Sequence, residues 1–551
     1  MTASELPQFA SSLRPGPGEG PPHWGEPIPA EIVSEPVRWR ELAVVGASVA
    51  LVDVTLWRGG GYAGYAACFA GLFALLCLGT PYRKRSRATW LLGVMTLVVA
   101  AKLVWCGGAS TIGIGFALIA ALSGALAGLP PYASNVGAVA AQAIVAGAVG
   151  LGRYVAAMQR RELKRWPTWA ACLAVAMPVV LVLVFGTIFV LANPDFVEVA
   201  SDFLSRLFRS VLDWLGRCEL TWTEVLAWLL TGWLAIGLLR PILRRSLGEP
   251  TEDDAAADDA SASAAARPTP YYAALRNTLA AVIVLFAVYL IFEFKRLWFV
   301  VFPEGFGYSG YAHEGAAWLT VALAVATAVL SAMFRGPVFA DPRARRLRRL
   351  AWIWSAENLL LAAAVYNRLF IYVDFNGMTR MRVVGLLGIS AVLGGFVLVV
   401  WKILRQRDFF WLIQRQLWVA ALMVFLGAVL PVDLLVHRYN VARIMAGDSA
   451  PCVQISVHPI ASEGLLTLFP LLDCPDEQVR SGVRAMLAQR ADEAEARALR
   501  CKKDGWTTYQ VADRKLLERL REHSERWAEY ADPFQRATAV GQFHDYAYQW
   551  Y

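Results

Sequence analysis

The chain is 551 residues long, 57% hydrophobic and only 17% charged. An ordinary soluble domain is about a quarter charged, so one large water-facing globule is excluded. The formal charge of +8 does not point to nucleic acid either, because the basic residues sit in short loops between apolar runs and no nucleic-acid motif accompanies them.

Residues 1–37 are rich in Pro, Gly and Glu and too poor in apolar side chains to fold, which predicts a disordered cytoplasmic arm. They lack the basic start, apolar core and cleavage site of a signal peptide, so the first membrane helix is expected to act as the insertion signal. Apolar runs near 41–57, 61–80, 89–106, 110–129, 168–192 and 221–239 match the hydrocarbon layer at about 1.5 Å per helical residue. They predict an N-terminal membrane half over 38–247. Trp57, Trp105, Trp222, Trp298 and Trp401 stand at the ends of such runs and read as an aromatic belt.

Residues 134–157 are also apolar, but basic residues (Arg153, Arg160, Arg161, Lys164, Arg165) lie at their end and just beyond. Counting them as a span would carry four later basic clusters to the outside, so a re-entrant or interfacial helix is expected. Residues 193–219 place Phe196, Val199, Phe203, Leu207 and Val211 at helical spacing, which suits a surface helix or a packed connector. Residues 248–268, with Glu252, Asp253, Asp254, Asp258 and Asp259, read as an acidic flexible cytoplasmic linker.

A second membrane half, 269–436, holds runs near 272–292, 315–334, 351–373, 381–401 and 415–436, for about eleven spans in all. Arg83, Arg240, Arg343 and Lys402 mark four basic loops that share one side when the N-terminus is cytoplasmic, which places the C-terminus outside. Residues 437–551 lose the long apolar runs and read as a small soluble helical domain. One apolar segment covers Leu465–Leu472, and a second, entered at Pro475, runs through Leu487. A third passes through Leu520, and a fourth opens at Asp532-Pro533. The predicted fold class is therefore all-α: a polytopic transmembrane helix bundle with a soluble C-terminal helical domain. In an external, oxidising compartment the tail cysteines admit one disulfide, with Cys474–Cys501 as the expected pair and three free thiols as the alternative.

No phosphate-binding loop, nucleotide fingerprint, paired-His helix or Cys-x-x-Cys is present, so no catalytic residue, metal or cofactor is assigned. Polar residues instead gather on the outer face of the C-terminal half. They are Glu304, His313 and Glu314, then Arg368, Tyr372, Asp374, Gly377, Thr379, Arg380 and Arg382, and finally Asp433, His437, Arg438 and Asn440. Arg380 and Arg382 begin a helix, where the dipole disfavours cations by up to about 1 kcal/mol. Arg368 lies within a span, where a central Arg costs about 2.5–3.5 kcal/mol. Both costs call for carboxylate partners, with Asp374, Glu304, Glu314 and Asp433 as the candidates. A structural ion-pair network, a ligand site, a metal site using His313, Glu314, His437 or His458, and a catalytic carboxylate site all remain open for this cluster.

Arg368, Tyr372, Gly377, Thr379 and Arg382, followed by Asp433, Arg438 and Asn440, form a pattern. It resembles an uncharacterised family of bacterial polytopic inner-membrane proteins, catalogued as a domain of unknown function. The likeness covers roughly residues 270–500 and departs at Asn376 and Met378. It implies a bacterial inner-membrane location and no activity. The expected role is an envelope sensor or scaffold, partnered by the lipid bilayer and by an envelope protein at the C-terminal domain, with no nucleic acid. A transporter of a small solute or lipid is the alternative, with Lys102, Gln142, Glu357 and Asn358 as midplane polar residues. A membrane enzyme acting on lipid-linked substrates, using Asp53, Glu304 or Asp374, is the third.

Overall fold

The computed structural model describes residues 37–80, 86–159, 205, 221–242, 272–295, 308–334, 343–405, 407 and 409–550. The expected arm, linker, span at 168–192 and amphipathic segment at 193–219 lie outside the described residues. Among the described residues every regular element is helical. Nine of the described helices are long and apolar enough to cross a membrane.

The N-terminal half contains α1 (Trp39–Val52), which continues into a π turn over Asp53–Trp57, then α2 (Tyr62–Gly79), α3 (Arg87–Cys106), α4 (Ala109–Leu126), α5 (Ala133–Gln159) and α6 (Trp222–Leu239). Ser86 and Thr221 cap α3 and α6 by accepting the amides of Thr89 and Glu224 at 3.2 and 3.3 Å. Phe69, Val99, Leu103 and Leu122 fill the core between these helices. Large apolar side chains such as Leu91, Val94, Leu229 and Leu230 point outward instead, an arrangement that water would penalise and hydrocarbon accepts.

The C-terminal half contains α7 (Tyr272–Glu293), α8 (Tyr308–Met333), α9 (Ala344–Asn376), α10 (Arg380–Arg405) and α11 (Phe409–Val429). Leu323, Leu330, Phe396 and Val399 are enclosed at its centre. Neither α1 nor α9 is among the nine apolar candidates, α1 being short and α9 polar over its 33 residues, yet both pack as core members through Val44, Ala351, Leu361 and Val365.

α12 (Val432–Met445), α13 (Glu477–Asp504), α14 (Val511–Glu522) and α15 (Pro533–Tyr548) follow, with short helical turns between them. They share a separate core of Leu468, Leu471, Val479, Val483, Leu516 and Phe543. Asp476 caps α13 by accepting the amides of Gln478 and Val479 at 2.9 and 3.2 Å, so Pro475 stands before the cap and outside the first turn. The apolar run Leu465–Leu472 forms two short turns, Ser462–Leu465 and Phe469–Asp473, where one segment was expected.

The Cys474–Cys501 disulfide is not formed, and Cys452, Cys474 and Cys501 are free thiols. Cys474 precedes α13 and Cys501 sits in its last turn, so the straight helix holds them about 36 Å apart, far beyond disulfide reach.

The bundle has two distinct ends. The C-terminal helices cover one, called here the domain end. At the other, the basic end, Arg240 forms a bidentate pair with Glu41 at 2.8 and 3.0 Å, Arg343 stacks on Tyr272 at 4.2 Å, and Lys402 donates to the Ser331 carbonyl at 3.1 Å. Contacts of α5 with its neighbours also fall at that end. Tyr132, just before it, lies 5.9 Å from the Arg415 guanidinium of α11. Val139 then meets Gly124 of α4, Gly147 and Gly150 meet Trp233 and Ile236 of α6, and the Tyr154 hydroxyl donates to Glu41 at 3.1 Å. Small residues allow the approach: a Cβ on Gly237 would stand 2.1 Å from the Ala143 carbonyl oxygen.

Candidate binding site at the domain end

The turn between α9 and α10 sets the geometry. Gly377 ends α9 at φ +89°, and a Cβ there would lie 2.7 Å from Asn440 Oδ1, so both backbone and space require glycine. Asn440 grips the next residue on both sides: its Oδ1 accepts the Met378 amide at 2.7 Å and its Nδ2 donates to the Met378 carbonyl at 2.9 Å. Thr379 Oγ1 accepts the Arg382 amide at 3.1 Å and starts α10. Arg443 closes the end of α9, donating to the carbonyls of Val373 and Asp374 at 2.9 and 2.6 Å and pairing with Asp448.

The four arginines of this region end differently. Arg380 meets Asp433 through two parallel hydrogen bonds, and Asp433 also accepts the Ala461 amide at 2.7 Å. Burial pushes the Asp433 carboxyl up, but the Arg380 guanidinium and the Ala461 amide outweigh it and hold the group below the usual carboxylate range. Arg368 pairs with Glu293 at 2.5 and 2.6 Å, within reach of the Tyr289 hydroxyl. Its partner is thus the end of α7, not one of the four expected acids.

Arg382 is 4% exposed and meets no carboxylate among the described residues. It donates to the Gly377 carbonyl and to Asn376 Oδ1 and lies over the Tyr372 ring at 3.8 Å. The negative end of the α9 dipole and an aromatic face therefore stand where an acid was expected. Arg438 is exposed, and Asp374 is an exposed acceptor for the Tyr439 hydroxyl at 3.2 Å. Glu304 and the side chains of His313 and Glu314 lie outside the described residues.

A cavity of about 750 Å³ opens beside Arg382. Tyr372, Thr379, Arg380, Arg382, His437 and His458 form its polar wall, and Gln454 completes it. Three buried polar atoms there have no hydrogen-bond partner among the described residues: Arg382 Nε, His437 Nδ1 and Gln454 Oε1. The Gln454 amide is oriented by its other end, which donates to the Asn376 carbonyl at 2.9 Å. Burial pushes the His437 imidazole down to about 4, with Asp433, Arg380 and His458 facing it. Among the described residues no three His, Cys, Asp or Glu side chains come together as a metal set.

The same C-terminal helices make a second contact, with the N-terminal half. Glu463 accepts Lys102 Nζ and Trp105 Nε1, both at 2.8 Å, and Gln510 Oε1 accepts the Gly107 amide at 2.7 Å. Lys102 thus reaches the domain end and leaves the midplane. Thr507 seats against Gly59, Gly61 and Gly64, where added Cβ atoms would come within 2.4, 2.2 and 3.2 Å of it. Asp53 is also fully engaged, accepting Arg58 at 3.0 Å and Trp228 Nε1 at 2.9 Å, while Arg58 reaches Glu224 at 2.5 Å.

Sequence reasoning passed over Gln454 and Glu463. Gln454 is a polar residue amid apolar neighbours in Cys452-Val-Gln-Ile455, and Glu463 is a charge that opens the apolar run Gly464-Leu-Leu466; those placements were the available signal.

Residues 70–458 match the family described as Domain of unknown function (DUF4153), and the chain belongs to that family. The match begins well before the 270–500 resemblance and takes in most of the N-terminal half. No curated protein and no solved structure is detectably similar to the chain.

Proposed function

We propose that this family member is an envelope sensor or scaffold of a bacterial inner membrane, with its N-terminus cytoplasmic and its C-terminal helices external. One observation carries the reading. A single C-terminal unit is ion-paired to both membrane halves, through Glu463–Lys102 and Asp433–Arg380, and the cavity lies at the second of these joints. A change in that cavity therefore has a mechanical route to the other half. The orientation is supported by Arg240, Arg343, Lys402 and Arg405 at the end opposite the C-terminal unit. The count of eleven crossings is supported by the contacts that keep both ends of α5 at the basic end, whereas α6 starts at the domain end beside Arg58.

Hydrogen exchange on the full chain in lipid nanodiscs tests the coupling. Replacing Lys102 by Met is expected to raise exchange in the 376–380 turn and in α12 as well as around Glu463. Unchanged exchange at 376–380 would sink the sensor reading. A transporter stays the second reading because α9 carries Glu357 Oε2, Asn358 Oδ1 and Trp354 Nε1 buried without partners among the described residues. Solute or proton flux in proteoliposomes that disappears in Glu357→Gln would favour it.

A further inference from the structure

We infer that the cavity at the domain end is a binding site for an anionic amphiphile, a molecule with a phosphate-type headgroup and a hydrocarbon chain. The inference rests on the sensor reading for its purpose and on the cavity alone for its chemistry.

The polar wall is built for an anion. Arg380 is neutralised by Asp433, but the charge of Arg382 has no carboxylate opposite it among the described residues. Burying a cation that way is costly unless an anion joins it. Its Nε–H remains undonated in a side chain that is 4% exposed, and His437, which lines the same cavity and is 3% exposed, has an unpartnered Nδ1. Two unused nitrogens in the walls of one cavity suit oxygens of one headgroup. Gln454 Oε1, equally unused and 4% exposed, is an acceptor. It fits a hydroxyl or N–H of the same headgroup.

The remaining wall is built for a chain. Ala316, Ala317, Leu369, Gly385, Gly388 and Ile389 line it, and these residues carry little or no polar side-chain chemistry. Gly388 is exposed, and a Cβ added there would meet nothing within 4 Å, so the groove is open along the outward side of α10. Met381 and Val384, 73% and 60% exposed on the same helix, continue that surface toward the lipid. A soluble anion needs no such channel, and a neutral lipid needs no guanidinium that lacks a carboxylate among the described residues. The volume of about 750 Å³ holds a headgroup and the first part of a chain, within the size range of small-molecule sites.

The test is titration of the detergent-solubilised full chain, read by native mass spectrometry and by thermal unfolding. The probes are phosphatidylglycerol, phosphatidylcholine and inorganic phosphate. Phosphatidylglycerol is expected to bind and to raise Tm, with the other two at least tenfold weaker. Arg382→Gln removes the charge and is expected to weaken phosphatidylglycerol at least tenfold. Gly388→Leu places its Cβ in open space on the cavity wall, so its Tm without lipid should stay close to wild type while phosphatidylglycerol affinity falls at least tenfold. This second variant decides the matter if Arg382→Gln fails to fold. Equal binding of phosphatidylglycerol and phosphatidylcholine overturns the anion half. Undiminished lipid binding in Gly388→Leu, or inorganic phosphate as effective as lipid, overturns the amphiphile half. Binding that persists in Lys102→Met separates this site from the coupling reading, which that variant tests on its own.

Discussion

The C-terminal helices make two joints with the membrane bundle at the same end, and the joints are built differently. At the N-terminal half, Glu463 satisfies Lys102 and Trp105 at once, Gln510 takes a free amide, and Thr507 is seated among glycines, with its Oγ1 the one buried polar atom of these groups that lacks a partner among the described residues. At the C-terminal half, Arg382, His437 and Gln454, which line the cavity, each keep a buried polar atom without a partner among the described residues. Native interiors leave few such atoms, because each costs about 1–3 kcal/mol. The first joint therefore reads as a fastening and the second as a receptacle.

The largest expected effect breaks the fastening. Glu463→Ala leaves Lys102 partly buried and alone, and should lower stability by about 3–5 kcal/mol. The thermal midpoint in detergent measures this, and a midpoint within error of wild type would refute it. Next comes pH at the receptacle. His437 is held neutral in the fold down to about 4, against an ordinary 6.5, so its stabilising contribution is complete above 6.5. Below that the unfolded chain takes up the proton first, and stability should fall by at most about 1.4 kcal/mol per pH unit down to the folded value. The part of the slope that disappears in His437→Gln is the part this residue supplies, and no difference between the two slopes would discount it.

A smaller effect is expected at Arg382. Glutamine there loses a stacked cation but also removes a buried charge that meets no carboxylate among the described residues, so the net change should stay within about 1 kcal/mol. A loss comparable to Glu463→Ala would make the two joints alike and dissolve the contrast. The smallest effect belongs to Arg526, whose pair with Asp473 at 2.7 Å is open to water. Arg526→Ala should shift stability by less than about 0.5 kcal/mol, and it serves as the baseline for the other three.

Much of this was readable in the sequence, because the thickness of hydrocarbon imposes run lengths that no other solvent does. Runs near 61–80, 89–106 and 110–129 fall on α2, α3 and α4. The cluster from Tyr372 to Asn440 does converge, since helix direction alone brings the α9–α10 turn and the start of α12 to one end. Partner choice was not readable. Arg368 chose Glu293 over nearer candidates, and Arg382 chose a helix end and a ring, because pairing depends on helix rotation, which loop charges do not fix. The disulfide failed for a reason that was legible: the unbroken helix-forming stretch 477–504 separates Cys474 from Cys501. The Lys102–Glu463 pair, 361 residues apart, carries no local signature at all.

α5 has a consequence of its own. Its 27 residues extend about 40 Å, and contacts hold both ends at the basic end of the bundle, while Ile144, Val145 and Met158 face outward at 63%, 58% and 63% exposure. In the topology proposed above, a helix lying that way would take up area in one leaflet and none in the other, and the protein would be broader on that side of the bilayer, like a keystone.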